Sequence, residues 1–340
     1  MTKPVKPVLF VSFRPLFRAE NLKAIYEAYP GFKRHILSTD PAFHDTVLSG
    51  EYDIMVTDDF PSISTPICIV IWHGIQGGKT IGLNVHNNPY FNQSVTDRIT
   101  YIISASDDMI PVWHECTGVP EDRIIPLGFP RTDQYIGKRK GDGHTFLADK
   151  VSYLYVPTFR DYCDPPFPHI DWSLIDNMLH DDEQFVVKIH PWDAQYDKNH
   201  EAFMDLYSVR YKHIRTVSGY EPTTPYLYDA DVVITDYSSI MFDAYLLHKR
   251  VVLWEPQPGY VSKRGMYLHY PYEYGTHFAV TEDQMIEQAR YRHFAEDMDL
   301  MLLNHVDYSQ FDSNVIRKVA NKCDGRSCER IVDFINSLKG

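Results

Sequence analysis

The chain has 340 residues, a formal net charge of −13 and five cysteines. That length exceeds what a single hydrophobic core usually serves, so two domains are expected. The acidic balance argues against a nucleic-acid partner held by phosphate contacts, and any phosphate ligand must find its cations locally.

Residues 8–13 read as a first strand and Ala19 to Tyr29 as the helix after it. Further strands are expected at His35–Ser38, Ile54–Thr57 and Ile67–Trp72, each short and rich in apolar or β-branched residues. Asp97 to Ala105 reads as another strand, followed by a helix through Trp113 and a strand at Ile124–Leu127. Strands separated by helices in this way indicate a parallel, doubly wound sheet. A polar stretch from Lys138 to Asp149 has no apolar period and is expected to be an exposed linker.

A second series begins at Tyr153–Val156 and continues with a helix at Trp172–Leu179 and strands at Phe185–Ile189, Ile214–Val217, Val232–Ile234 and Val251–Trp254. Helices are expected at Glu282–His293 and Asn314–Leu338. The boundaries follow: 1–140 as one Rossmann-like domain, 150–312 as another, and 313–340 as a C-terminal helix packing back across them. The fold class is therefore α/β, two parallel-sheet domains expected to face a central cleft.

No cysteine sits in a Cys-x-x-Cys pair, and Cys68, Cys116, Cys163, Cys323 and Cys328 are scattered. Free thiols in a reducing cytoplasm fit better than a disulfide framework or a metal site. The apolar run Val8 to Val11 is too short for a signal peptide, and no segment approaches the roughly 18 apolar residues of a membrane span.

Open parallel sheets bind ligands at the carboxyl ends of their strands, so the residues just after each strand carry the functional signal. His73, Gly74 and the turn Gly77–Gly82 with Lys79 follow Ile67–Trp72. Gly128, Arg131 and Asp133 follow Ile124–Leu127, and Thr158, Arg160 and Asp161 follow Tyr153–Val156. His190 follows Phe185–Ile189, while Asp236, Ser238 and Ser239 follow Val232–Ile234. In this last stretch Ile240, Ala244 and Leu247 recur at helical spacing, so two hydroxyls stand where a helix begins, a place suited to phosphate. The competing structural reading is that Ser238 or Ser239 only caps that helix. The Gly77–Gly82 spacing does not fit a P-loop, which excludes nucleoside triphosphate binding of that type.

Taken together, Trp72-His73-Gly74 with Lys79-Thr80-Ile81-Gly82, Gly128-Phe129-Pro130-Arg131-Thr132-Asp133, Val156-Pro157-Thr158-Phe159-Arg160-Asp161, Lys188-Ile189-His190-Pro191 and Thr235-Asp236-Tyr237-Ser238-Ser239 resemble the signatures of the CDP-glycerol glycerophosphotransferases, the teichoic-acid primase and polymerase family. Arg264-Gly265-Met266-Tyr267 and Cys323-Asp324-Gly325 ahead of Arg330 are similar as well.

The resemblance implies a GT-B fold and transfer of glycerol phosphate from CDP-glycerol to an acceptor hydroxyl, with release of CMP, in teichoic-acid or capsule-like polymer synthesis. It implies His73 as general base and His190 as its partner on the transferred phosphate or departing CMP, with the roles exchangeable. Histidine suits a base at pH 7, its ordinary pKa being about 6.5. Ser238, Ser239, Asp236, Thr158 and Arg160 would bind the donor pyrophosphate or CMP, Asp236 by orienting a donor group or the ribose rather than as base; Gly74, Lys79, Arg131 and Asp133 would hold acceptor or phosphate. The 1–140 domain would serve the acceptor and the 150–312 domain the donor. No carboxylate cluster has metal spacing, so no cofactor and no metal are expected. The acceptor is expected to be lipid-linked or polymeric, which would bring the protein to the cytoplasmic surface of the membrane without an amphipathic helix to hold it there. Three rivals remain: CDP-ribitol as donor, a nucleotide-sugar glycosyltransferase of the same fold, and a polymer-binding subunit without catalysis.

Overall fold

The computed structural model describes residues 6–75, 93–158, 170–190, 206, 209–236, 238–255, 279–294, 314 and 316–339. The chain divides into two compact units, Met1–Ile136 with Val315–Gly340, and Gly137–Asn314.

In the first unit the strands are β1 (Val8–Ser12), β2 (Lys33–Leu37), β3 (Ile54–Thr57), β4 (Ile67–Val70), β5 (Tyr101–Ser104) and β6 (Ile124–Pro126). They form a six-stranded sheet in the order β2-β1-β3-β4-β5-β6, every pair parallel. β1 and β3 are buried along their whole length, as befits strands covered on both faces. Helix α1 (Glu20–Ala28) turns Leu22 and Ile25 into the core beside Val8, Phe10, Ile54 and Ile69. Each such buried aliphatic side chain contributes about 1.5–3 kcal/mol. The connecting helices are α2 (Phe43–Leu48), α3 (Gln93–Thr96) and α4 (Ile110–Thr117). The strand expected from Asp97 starts only at Tyr101, because residues 93–96 form a helical turn whose Gln93 carbonyl accepts from Asp97 N–H at 2.9 Å.

The second unit has β7 (Val151–Tyr155), β8 (Glu183–Val187), β9 (Ile214–Thr216), β10 (Val232–Thr235) and β11 (Arg250–Leu253), in the order β11-β10-β7-β8-β9 and again all parallel. Its helices are α5 (Trp172–Met178), α6 (Thr224–Asp229), α7 (Ile240–Leu246) and α8 (Glu282–Phe294). Tyr155 is at the centre of the core, its ring 4.9 Å from Trp254, 6.2 Å from Phe185 and 6.4 Å from Trp172.

Two further expectations are corrected. The stretch Lys138–Asp149 is not a free linker, because Asp229 gathers it onto the second unit. Its carboxylate accepts from the N–H groups of Gly141 at 2.8 Å, Gly143 at 3.0 Å and Thr145 at 2.8 Å, and from the Thr145 hydroxyl at 2.7 Å. Gly143 lies so close to the Pro225 carbonyl that a Cβ would sit 1.9 Å from it, and Leu147 is fully buried. Polarity misled here: the polar residues form a folded turn around one buried acid.

Nor is Asn314–Leu338 one helix. Residues 316–319 are helical, the chain then turns through Gly325 at φ +88°, and α9 (Ser327–Ser337) begins afresh. A left-handed backbone suits glycine. α9 places Ile331 and Ile335 in the core of the first unit. Among the described residues no helix is long and apolar enough to cross a membrane.

Candidate active site

The order of each sheet marks where its carboxyl edge opens. In the first unit the chain reverses its direction of growth between β1 and β3, and in the second between β7 and β10. Ligand crevices of open α/β sheets form at such reversals.

At the second reversal, Asp236 follows β10 and Thr158 lies beyond β7. Asp236 is 2 % exposed, and its two carboxylate oxygens accept from Thr158 N–H at 3.0 and 3.2 Å. Just before it, the Thr235 hydroxyl donates to the Val156 carbonyl at 2.6 Å. Adjacent strand ends are thus tied by a carboxylate and a hydroxyl, which fixes the direction in which the chain leaves β7. Ser238 and Ser239, both half-buried, open α7. Ser238 Oγ accepts from Ile240 N–H at a long 3.5 Å, and Ser239 at the N-cap position makes no side-chain capping bond. Capping alone therefore accounts poorly for the pair. His190 stands half-buried beyond β8. Two residues before it, Lys188 is 4 % exposed, and its ammonium donates to the Gly219 carbonyl at 3.2 Å.

In the first unit His73 is exposed beyond the end of β4, with buried Gly74 next to it. Its ring leans on that of Trp72 at 4.2 Å, and Trp72 leans on Phe60 at 4.7 Å. The main chain here is held from two sides. Asn21 Nδ2 on α1 donates to the Trp72 carbonyl at 2.9 Å, and the Arg131 guanidinium donates to the His73 carbonyl.

Asp133, expected to bind acceptor or phosphate, is a helix cap. One carboxylate oxygen accepts from Ser327 N–H at 2.9 Å and the other from Cys328 N–H at 2.7 Å, at the start of α9. A carboxylate suits that place, where unpaired N–H groups and the positive end of the helix meet. Arg131 is only 7 % exposed and lies on the main chain. Lys79 and Arg160 fall outside the described residues, as do the rest of Gly77–Gly82 and Arg264–Tyr267.

Sequence reasoning missed Asn21 and Asp58. Nothing in a lone asparagine on a helix reveals that it reaches a strand end 51 residues away. Asp58 could have been found, since it directly follows the strand Ile54–Thr57 and so meets the same strand-end criterion. It is 2 % exposed, and its carboxylate accepts from Phe13 N–H at a long 3.4 Å. Burial pushes its carboxyl up to about 6 against the opposing pull of Arg14.

Comparison with known proteins gives this geometry a family. The model of CDP-glycerol:poly(glycerophosphate) glycerophosphotransferases matches residues 52–337. A teichoic acid poly(ribitol-phosphate) polymerase of Bacillus spizizenii is 27 % identical over 308 residues, 83 % of this chain and 46 % of the polymerase. A teichoic acid glycerol-phosphate primase of Bacillus subtilis is 26 % identical over 275 residues, 74 % of this chain and 69 % of the primase. This chain thus spans about half of one relative and about two thirds of the other. The wall teichoic acid polymerase TagF shares the fold, with a TM-score of 0.71 at 19 % identity over 98 % of this chain and 89 % of TagF. Two parallel-sheet units of the GT-B type, with a family match running from β3 into the last helix, lead to one conclusion: the chain belongs to the CDP-glycerol:poly(glycerophosphate) glycerophosphotransferase family, transferases of phosphorus-containing groups.

Proposed function

We propose that the chain transfers glycerol phosphate from CDP-glycerol to an acceptor hydroxyl in the synthesis of a teichoic-acid-like polymer. The observation that carries this reading is the pair His73 and His190, each just beyond the carboxyl end of a parallel strand, one in each unit, inside the family match. The acceptor oxygen attacks the phosphorus that bears glycerol and forms a new P–O bond. The bond from that phosphorus to the bridging oxygen breaks, and CMP leaves with the electron pair. His73 takes the proton of the attacking hydroxyl, and His190 stands by the phosphate in transfer or the departing CMP.

Negative charge grows on the CMP side as the bond breaks, and donors already aimed there are usually the largest catalytic contribution. Ser238 and Ser239 are candidates for that role, with Arg160 as the cation and Asp236 fixing the main chain at Thr158, two residues before it. Ser238 and Ser239 at the start of α7, beside the reversal between β7 and β10, support the second unit as the donor side. Gly74 and Lys79 remain the proposed acceptor or phosphate contacts of the first unit. A TagF variant was soaked with CDPG, which supports the same donor class here. The acceptor is proposed to be lipid-linked or polymeric, with the protein at the cytoplasmic face of the membrane.

Each of His73→Ala and His190→Ala is expected to lower CMP release by ~10²–10⁴, the usual contribution of a general acid or base. Full turnover in either variant would sink this mechanism. CDP-ribitol is the second reading, because the ribitol-phosphate polymerase is as similar as the glycerol-phosphate primase. A thermal-shift titration separates the two. A ligand at 100 times its Kd stabilises the fold by about 2.7 kcal/mol, so the true donor moves the transition and the other alcohol does so weakly.

A further inference from the structure

We infer that Arg131 and Asn21 are positioning residues for His73, and that α9 keeps Arg131 in place. The inference rests on His73 being the base. β4 ends at Val70, and the ladder's last bond at this end is from Ile71 N–H to the Thr57 carbonyl at 2.8 Å. Beyond it the carbonyls of Trp72 and His73 accept from side-chain donors. Asn21 serves the first and Arg131 the second. The two donors also hold each other, since Arg131 N–H donates to Asn21 Oδ1 at 3.1 Å. Asn21, 2 % exposed, therefore uses both ends of its amide: one on Trp72 and one on Arg131.

The second half of the device is the turn that carries Arg131. It is fixed at both ends by the last segment of the chain. Arg330 on α9 donates to the Leu127 carbonyl at 2.9 Å, and Asp133 caps α9 at Ser327 and Cys328. Between them Gly128 takes φ +89°, and a Cβ there would lie 2.3 Å from the Lys322 carbonyl. The Thr132 hydroxyl closes the turn on the Phe129 carbonyl at 2.6 Å. Consecutive carbonyls of a histidine-bearing segment are thus clamped by groups that arrive from 51 and 58 residues away, and the clamp is tied to a helix nearly 200 residues further on. A general base must lie within hydrogen-bond reach of the proton it abstracts, and a misplacement of about 1 Å can cost ~10²-fold in rate. Clamping the two peptides that flank His73 restricts where the imidazole can swing without touching the imidazole itself. This assigns the Gly128–Asp133 segment and the Cys323–Arg330 segment to one task, bracing the base, and removes Arg131 from the contacts to substrate.

The test is a kinetic split on the full chain, measured as CMP release from CDP-glycerol with a short synthetic poly(glycerol phosphate) acceptor, and with CDP-ribitol in parallel. Arg131→Gln is expected to lower kcat about 10–100-fold while KM for donor and acceptor stays within about twofold. Arg131→Lys should recover part of the loss, because an ammonium can still donate to the His73 carbonyl. Asn21→Asp removes the donor to Trp72 but keeps the acceptor for Arg131 N–H, and should show the same split. If Arg131→Gln fails to fold by calorimetry, Arg131→Lys and Asn21→Asp decide by the same measures. A rise of tenfold or more in acceptor KM with kcat unchanged would make Arg131 a ligand of the substrate anion and overturn the inference. So would unchanged kcat and KM in a folded variant. His73→Ala in the same assay keeps the two failures apart: full turnover there removes the base itself, whereas an inactive His73→Ala beside an unaffected Arg131→Gln removes only the clamp.

Discussion

Two buried carboxylates, one in each unit, are treated in opposite ways. Glu183 begins β8, at the amino edge of its sheet, and its side chain is 2 % exposed. It receives Arg290 Nε at 2.9 Å and Arg290 Nη2 at 2.6 Å, the Tyr153 hydroxyl at 2.6 Å and His180 N–H at 2.7 Å. Burial raises its pKa, but these donors outweigh it and hold the group at about 2. Asp58, beyond β3 at the carboxyl edge of the other sheet, is as deeply buried and far less well served. Burial dominates and leaves it at about 6. The contrast matches what each edge is for. A group that only stabilises can collect every donor within reach, whereas the carboxyl edge of an open sheet keeps polar groups at some cost to the fold.

The strongest way to break the comparison is to take Glu183's partner away. Arg290→Met keeps the aliphatic stem and deletes the guanidinium, leaving a buried carboxylate short of its cation. Such a loss costs about 3–5 kcal/mol. Calorimetry should show the loss, and hydrogen exchange should confine it to amides of β7 and β8, with β1 and β3 unchanged. Equal loss of protection in both sheets would show that the two units do not unfold separately.

Acid titration probes the same pair with opposite signs. Glu183 has a folded-state pKa below its ordinary 4.5, so its contribution, about 3 kcal/mol, is present above that value and is lost as pH falls through about 2. Asp58 has a folded-state pKa above its ordinary 3.8. Its contribution is fully present below 3.8 and is lost as pH rises through about 6. Between about pH 6 and 4, then, the amides of β1 and β3 should gain protection while those of β7 and β8 hold steady. The second unit should weaken only below about pH 4.

How much of this could be seen in the sequence depends on how far each signal reaches along the chain. Buried parallel strands such as Val8–Ser12 and Val232–Thr235 are written as continuous apolar runs, so both sheets are legible to within a few residues, whereas the short helices α2 and α6 escape a reading by period. Strand-end residues such as His73, His190 and Asp236 were legible for the same reason. What they do with their neighbours was not. Asp133 looked like a ligand because it follows a strand, yet its partners Ser327 and Cys328 are 194 and 195 residues away. The Lys138–Asp149 stretch is polar and largely exposed, as expected, yet it is no free linker, because Asp229, more than 80 residues on, gathers its N–H groups. The break in the last helix did have a local sign, Gly325, outweighed by the helical period on either side.

The smallest effect expected is also the one that separates stability from function most cleanly. Asp58→Asn keeps the shape and removes the charge that burial disfavours. At neutral pH the first unit should gain on the order of 1–3 kcal/mol, because an ionised carboxylate of raised pKa no longer has to be accommodated. The rise in protection between pH 6 and 4 should disappear with it. Asp58 lies at the reversal between β1 and β3, and β3 is paired to the strand that leads into Trp72 and His73. Turnover should therefore fall in the variant even as its melting temperature rises. A more stable variant with undiminished CMP release would mean that the carboxylate is a tolerated defect. A more stable and slower one would show that the crevice keeps its charge for use.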